Sequence, residues 1–152
     1  MIEEDDDIPL KKIIVPLDGS DWSFRAAKYA IKIAKMANAE IIFMHAVVNL
    51  PYGDARGGGI MITAYIKEAR ELAESWYMKA GNIASNEGVK FMAETILDVA
   101  SAADSIVNYA ESKKADLIVI GTKGRTSLKR LLLGSVASGV VTHARCPVLV
   151  TK

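Results

Sequence analysis

The sequence of 152 residues is poor in the side chains that build disulfides and metal centres. It has one cysteine, Cys146, and two histidines, His45 and His143. A single cysteine excludes an internal disulfide, and these three side chains cannot complete a closed zinc site. We therefore expect a protein of the reducing cytoplasm, with no metal site built from its own side chains.

The sequence also lacks a long apolar run and an excess of charge of one sign. No run approaches the roughly 18 residues that a membrane span needs, and no apolar segment follows a basic start. The net charge is +1 at pH 7, so no overall basic field favours nucleic acid or anionic lipid. We expect a soluble, unprocessed protein that binds neither membranes nor nucleic acids.

Length and hydropathy are those of one globular domain. The chain is long enough to bury a full core, and 51% of its residues are hydrophobic, which favours a sheet buried on both faces. The opening MIEEDDDIP is acidic and ends at a proline, which is typical of a solvated, poorly ordered segment. The sequence therefore predicts an acidic disordered tail at 1–9 and one domain at 10–152.

Short apolar runs alternate with helical periodicities along this domain. Strands are predicted at 11–18, 40–48, 89–97, 116–121 and 147–152, and helices after the N-caps Ser20 and Ser101, from Ile62 to about Asn86, and over SVASGVVTHA. The order βαβαβαβαβ predicts a three-layer α/β domain with a parallel sheet and helices on both faces. Alternation alone leaves the strand order open between 2-1-3-4-5 and 3-2-1-4-5.

The stretch GTKGRTSLKRLLLGSVASGVV directly follows the fourth predicted strand. It therefore lies at a carboxyl end of the sheet, where such folds bind ligands. Gly121 and Gly124 can adopt positive φ and open their N–H groups to an anion. Gly134 and Ser135 begin the last helix, whose first N–H groups and dipole can face a phosphate. The stretch thus predicts an anion site in two halves.

Basic side chains reinforce this prediction. Lys123 and Arg125 lie inside the loop, where they can pair with phosphate, and Lys129 and Arg130 follow. No Walker A or dinucleotide motif is present, since no lysine separates Gly134 from Ser135 and the first strand ends in PLDGSD. The alternative is that the glycines only form turns and the basic side chains are solvated. Strand end, glycines, basic residues and helix start together favour anion binding.

The spacing of Gly121, Gly124, Gly134 and Ser135, which is G-x-x-G, nine residues and then G-S, resembles the nucleotide-binding motif of the universal stress protein (UspA) family. The resemblance extends over KKIIVPLDGSDWSFRAAKYAIKIA, IIFMHAV and the segment from ADLIVIG to the last residue. It implies a Rossmann-like fold of the adenine nucleotide alpha hydrolase type, with five parallel strands in the order 3-2-1-4-5. Asp18 and Gly121 would then face each other across one crevice.

In family members with this motif the ligand is ATP, so the resemblance implies an ATP-binding regulatory module of the stress response. It implies Mg²⁺ or Mn²⁺ carried on the phosphates and a homodimer formed through the last strand. The residues that match the adenosine side are Pro16, Leu17, Asp18 and Ala46, and those that match the ribose and phosphate side are Ile120, Gly121, Lys123, Gly124, Gly134, Ser135 and Val136. Arg125 joins them because of its charge. Ala46 and Ala100 depart from the frequent valine and glycine of the family, and neither change removes a phosphate contact.

Two other functions stay open. One is a slow ATP-hydrolysing enzyme, for which Asp18 is the only plausible acid in the crevice and no nucleophile has an adjacent base. The other is a protein-interaction module without ligand, which would use the acidic tail or the YGDARGGG loop.

Four further side chains are interpreted without chemistry. His45 is expected to be a hydrogen-bonded core histidine, Trp76 a core residue, and Cys146 a small buried apolar residue. Trp22 is expected at the surface or in an interface. The last strand, PVLVTK, is expected at a sheet edge, which proteins usually cover or pair.

Overall fold

The computed structural model describes residues 7–48, 58–124 and 133–152. In these ranges the elements are β1 Lys12–Pro16, α1 Asp21–Ala37, β2 Glu40–Val48, α2 Gly58–Asn86, β3 Phe91–Val99, α3 Ala102–Ser112, β4 Leu117–Gly121, α4 Ser135–His143 and β5 Val148–Thr151. The predicted alternation of strands and helices is confirmed. The bounds differ slightly, since β1 ends at Pro16 instead of Asp18 and β3 lies two residues further along the chain.

The five strands form one sheet in the order β3-β2-β1-β4-β5, and every pair is parallel. This confirms the order that the family resemblance implied. Ile14 in the central strand β1 is in register with Ile42 of β2 on one side and with Ile118 of β4 on the other. The winding therefore reverses between β1 and β4, which opens a crevice beyond their carboxyl ends.

Alternate side chains of the strands fill two cores, one on each face of the sheet. Ile13 and Val15 pack with the α1 and α2 side, whereas Ile14 packs with the α3 and α4 side. The face of α1 toward the sheet is rich in alanine, and its buried alanines are Ala26, Ala27, Ala30 and Ala34. Ala37, the last residue of the helix, is exposed.

Serine caps begin α1 and α3 as predicted. Ser20 Oγ accepts a hydrogen bond from Ser23 N at 3.1 Å, and Ser101 Oγ accepts one from Asp104 N at 3.2 Å. Such caps satisfy N–H groups that a helix start leaves open. In contrast, α4 begins after Gly134 with no side-chain cap hydrogen bond.

The predicted acidic tail is described only from Asp7, and Asp7, Ile8 and Pro9 are exposed and outside regular structure. Residues 1–6 and 49–57, which carry the rest of the tail and most of the NLPYGDARGGG segment, lie outside the described residues. None of the helices in the described ranges combines the length and the hydropathy of a membrane span.

Candidate functional site

A cleft of about 620 Å³ opens at the carboxyl ends of β1, β2 and β4. Of the twelve site residues predicted from the sequence, the eleven that line it are Pro16, Leu17, Asp18, Ala46, Ile120, Gly121, Lys123, Gly124, Gly134, Ser135 and Val136. The twelfth, Arg125, lies outside the described residues. The fold thus brings together residues more than one hundred positions apart in the sequence, while their part in binding stays a prediction.

Asp18 is held by the turn that joins β1 to α1. Leu17 N donates to Met44 O at 2.8 Å, which carries the strand pairing up to the residue before Asp18. Asp18 Oδ1 then accepts a hydrogen bond from Ser20 N at 2.9 Å, and Gly19 makes the turn with a φ of +81°. The carboxylate is therefore fixed relative to the end of β1, and it lies in the cleft that Gly121 also lines.

Gly121 at the end of β4 and Gly124 in the following loop serve close packing and not a left-handed backbone. Among the described residues, the glycines with positive φ are Gly19 and Gly88, so the predicted positive φ at Gly121 and Gly124 is wrong. A Cβ on Gly121 would lie 2.9 Å from three atoms of Trp22 at the start of α1. A Cβ on Gly124 would lie 2.7 Å from Asp18 Oδ2. The loop after β4 can lie against α1 and Asp18 because these side chains are missing.

Hydrogen bonds tie this loop to α4 and to the last strand. Thr122 N donates to Thr151 O at 2.9 Å, and Gly134 N donates to Thr122 O at 2.7 Å. The first bond inside α4 is from Ser138 N to Gly134 O at 2.8 Å. The Gly134 N–H thus donates to a backbone carbonyl of the protein and is not available to a ligand. The N–H groups of Ser135 and Val136 precede this first bond, so they are the ones that a helix start presents to an anion.

Nine lining residues were not predicted, and they are Ser23, Met44, His45, Val48, Ala102, Ile106, Thr122, Leu133 and Ala137. Met44 and Val48 could have been found, since they alternate with the predicted Ala46 along β2 and successive side chains point to opposite faces. Ala102 and Ile106 come from α3, where no motif marks them. They reach the cleft only through the packing of α3 in the core beside α4.

The side chains at the bottom of the cleft are apolar. Met44, Ile106 and Ala137 are each no more than 3% exposed, and all three line the cleft. The polar groups lie around them, in the β1–α1 turn, the loop after β4 and the start of α4. An apolar floor with a few fixed polar groups is the usual arrangement of a small-molecule site.

His45 lies at the rim of this cleft. Its Nδ1 is 2.7 Å from Leu17 O, and since a carbonyl oxygen only accepts, Nδ1 carries the proton in this hydrogen bond. The ring meets that of Trp76 edge-on, with centroids 4.9 Å apart. The predicted hydrogen bond is confirmed, but the side chain is half-buried and not in the core. Trp76 is partly buried against the α1 and α2 core.

Lys123 connects the cleft with the outer surface of α1. Its Nζ lies 5.6 Å from the centroid of the Trp22 ring, within the range of a cation–π contact. Trp22 itself is 36% exposed, which agrees with the surface position expected for it.

Comparisons with known proteins place the chain among relatives of one kind. The model of the universal stress protein family matches residues 9–152. Universal stress protein MJ0531 of Methanocaldococcus jannaschii is 46% identical over 147 residues, which cover 93% of this chain and 82% of that protein. Universal stress protein YxiE of Bacillus subtilis is 33% identical over 147 residues, with coverage of 93% and 98%.

Solved structures share the fold. The protein MJ0577 superposes with a TM-score of 0.83 at 26% identity, over 95% of this chain and 97% of that one. A universal stress protein in complex with cAMP gives 0.68 at 25% identity, over 94% and 97%. The protein from Archaeoglobus fulgidus in complex with dAMP gives 0.67 at 24% identity, over 96% and 100%. Since the family model spans nearly the whole sequence and relatives match almost end to end, this chain belongs to the universal stress protein family.

Proposed function

We propose that this protein binds an adenine nucleotide, ATP, in the cleft and acts as a nucleotide-dependent regulatory module of the stress response in the cytoplasm. One observation carries the proposal: a carboxylate, an ammonium group and an uncapped helix start converge on one apolar floor. These are Asp18, Lys123 and the start of α4 at Ser135. The volume of about 620 Å³ suits a ligand of nucleotide size. The cAMP complex of a relative at 25% identity supports the adenine part.

Charge sets the direction in which the nucleotide would lie. The positive end of the α4 dipole and the Lys123 ammonium favour the phosphates. The Asp18 carboxylate repels phosphate but accepts hydrogen bonds from a ribose hydroxyl or an amino group. We therefore place the phosphates, with Mg²⁺ or Mn²⁺ carried on them, toward α4. The nucleoside then lies toward Asp18 and Ala46, above Met44 and Ile106.

Titration calorimetry with ATP and AMP tests the placement of the phosphates. Replacing Lys123 by Met removes a charge-assisted hydrogen bond of about 1.5–3 kcal/mol, so ATP affinity should fall by about tenfold or more. AMP, which lacks the outer phosphates, should lose less. Lys90→Met is the matched control, because Lys90 is exposed and precedes β3 at the opposite end of the sheet. The proposal is contradicted if the wild type does not bind ATP, or if Lys123→Met and Lys90→Met lose ATP affinity equally.

Asp18→Asn separates binding from hydrolysis. In a regulatory module, phosphate release from bound ATP should be equally slow in the wild type and in this variant. A wild-type rate that clearly exceeds the variant's rate would instead favour the hydrolysing enzyme, with Asp18 as its acid. Mass spectrometry of the nucleotide that copurifies with the wild type identifies what occupies the cleft in the cell.

We also propose a homodimer formed through β5. This strand pairs with β4 and ends the sheet on that side. Leu149 on β5 is 37% exposed, and Val141 on the neighbouring α4 is 47% exposed. Light scattering should give twice the chain mass for the wild type and a lower mass for Leu149→Lys. Met92→Lys on the opposite edge strand, β3, is the control, and a monomeric wild type contradicts the dimer.

A further inference from the structure

A second cleft, of about 640 Å³, lies on the outside of the helical layer between α1 and α2. We call it the α1–α2 groove. Among the described residues that line it, the basic side chains are Arg25, Lys28 and Lys32 from α1 and Lys79 from α2, and the one acidic side chain is Asp21. The steps of three and four residues put the three α1 cations on one outward stripe of the helix. The groove therefore carries four positive charges against one negative charge.

None of the four cations of this groove forms a close ion pair with another described residue, although Lys32, after Lys35, contributes to the lowered pKa of Glu87. Among the described residues, the basic partners of the ion pairs are Lys12, Lys35, Lys67, Lys113 and Arg145, and none of these lines the groove. A basic stripe of this kind, with little compensating negative charge among the described residues, favours an anionic occupant. The surface is thus more than a solvated helix face, since its charges line one open, concave surface.

Aromatic rings lie among these charges. Trp22 and Tyr29 are 36% and 45% exposed, and their spacing of seven residues puts both rings on the same side of α1. Phe24 is buried, and Lys79 Nζ sits 4.0 Å from the centroid of its ring, which holds that ammonium at the wall of the groove. Exposed Trp and Tyr side chains are enriched in surfaces that bind other proteins.

We propose that the α1–α2 groove binds an acidic peptide segment of a partner protein. From Asp21 to Lys32 the helix rises about 16 Å, which is the reach of about five extended residues. Aspartate or glutamate side chains of the segment pair with the basic stripe, and an apolar side chain packs against Trp22 and Tyr29. A peptide is favoured over nucleic acid because the net charge of +1 gives no long-range field for a polyanion.

One end of the groove meets the strand-end cleft. Lys123 lines that cleft, and its ammonium lies over the ring of Trp22, which lines the groove. A phosphate that draws Lys123 toward α4 takes this cation away from the ring. Nucleotide binding should then change peptide affinity by about two- to fivefold. This coupling, unlike the groove itself, rests on the proposed nucleotide function.

Fluorescence anisotropy with two labelled peptides tests the proposal. The probe is Asp-Glu-Phe-Asp-Glu, and its uncharged counterpart is Asn-Gln-Phe-Asn-Gln. We expect the full chain to bind the acidic peptide, with an affinity that falls as salt rises, and to ignore the amide peptide. Lys28→Glu combined with Lys32→Glu should weaken binding at least tenfold. The control, Lys90→Glu with Lys152→Glu, makes the same change of net charge at exposed sites outside the groove and should bind like the wild type.

Several outcomes overturn the proposal. Equal loss in the groove variant and the control means that only net charge matters, and no binding at millimolar peptide removes the site. Tighter binding of a ten-residue oligothymidine, lost in the groove variant, assigns the groove to nucleic acid. Circular dichroism checks that both variants are folded. Failure of ATP to bind leaves the peptide result without ATP unchanged, so the two proposals fail separately.

Discussion

The variant Gly121→Ala tests why the first glycine of the motif has no side chain. The missing Cβ either lets β4 pack against α1 or leaves space for the nucleotide. The added Cβ would lie 2.9 Å from the carbonyl carbon, the carbonyl oxygen and the Cβ of Trp22. Two of these atoms are backbone, so no side-chain rotation removes the contact. The φ of Gly121 is not positive, and alanine therefore brings no backbone strain. The effect should come from this contact alone.

The size of the effect follows from the overlap. Carbon atoms pack at about 3.5–4.0 Å, so the start of α1 and the end of β4 must separate by roughly 0.6 Å or more. Overpacking of a well-filled site costs about 1–3 kcal/mol, and three simultaneous contacts place this variant in the upper half of that range. For a domain of this size the melting temperature should fall by about 4–12 °C.

Thermal unfolding followed by circular dichroism measures this change, with Gly59→Ala as the control. Among the described residues, nothing lies within 4 Å of a Cβ at Gly59, and Gly59 lies in α2, so alanine there should stabilise by up to about 1 kcal/mol. The same substitution is thus expected to act in opposite directions. At a temperature where both variants are folded, nucleotide affinity should change little, because the new methyl group of Gly121→Ala faces Trp22.

The reasoning is refuted if Gly121→Ala melts at the wild-type temperature while Gly59→Ala behaves as expected. A Gly121→Ala variant of normal stability that no longer binds nucleotide would also refute the packing role. In that case the missing side chain would serve to admit the anion, as predicted from the sequence.

Three further predictions use other parts of the structure. Gly124→Ala should cost less stability than Gly121→Ala, because among the described residues its Cβ meets the carboxylate end of Asp18 at 2.7 Å and no backbone atom. It displaces the carboxylate that Ser20 N holds, so it should weaken ATP binding in calorimetry. Burial raises the pKa of the Cys146 thiol, so iodoacetamide at pH 7.5 should alkylate it more slowly in the native protein than in urea. Burial also raises the pKa of Tyr77 from 10.0 to about 12, and the unfolded chain therefore loses this proton first. Stability should fall as pH rises from 10 to 12, which urea titrations with absorbance at 295 nm can follow, and a midpoint constant over this range contradicts the shift.

The architecture could be predicted because each element carries its own local signal. The apolar run over 11–18, the cap Ser20 and the helical periodicity from Ile62 to about Asn86 are readable without tertiary information. The strand order could not be predicted in this way, because alternation of strands and helices fits the orders 2-1-3-4-5 and 3-2-1-4-5 equally well. It came from the resemblance around Gly121 and Gly134, and the structure confirms it.

The sequence predicted which residues line the cleft better than it predicted why glycines occur there. Gly121 and Gly124 were expected to provide positive φ, whereas in the structure they lie where a Cβ would meet Trp22 or Asp18. Such a reason cannot be read from a sequence, because it depends on which residue lies opposite in the fold. The same holds for Ile106, which lines the cleft only because α3 packs beside α4.

Thr122 connects the last strand with the cleft through two backbone hydrogen bonds. Its N–H binds Thr151 O and its carbonyl accepts from Gly134 N, so a single residue bridges the carboxyl end of β5 and the start of α4. A protein that binds to β5 should therefore shift the start of α4, where we place the phosphates, and so change the affinity for nucleotide. By thermodynamic reciprocity, nucleotide binding changes the affinity for that protein by the same free energy. The nucleotide would then affect binding at β5, the edge strand next to β4, without any rearrangement of the core.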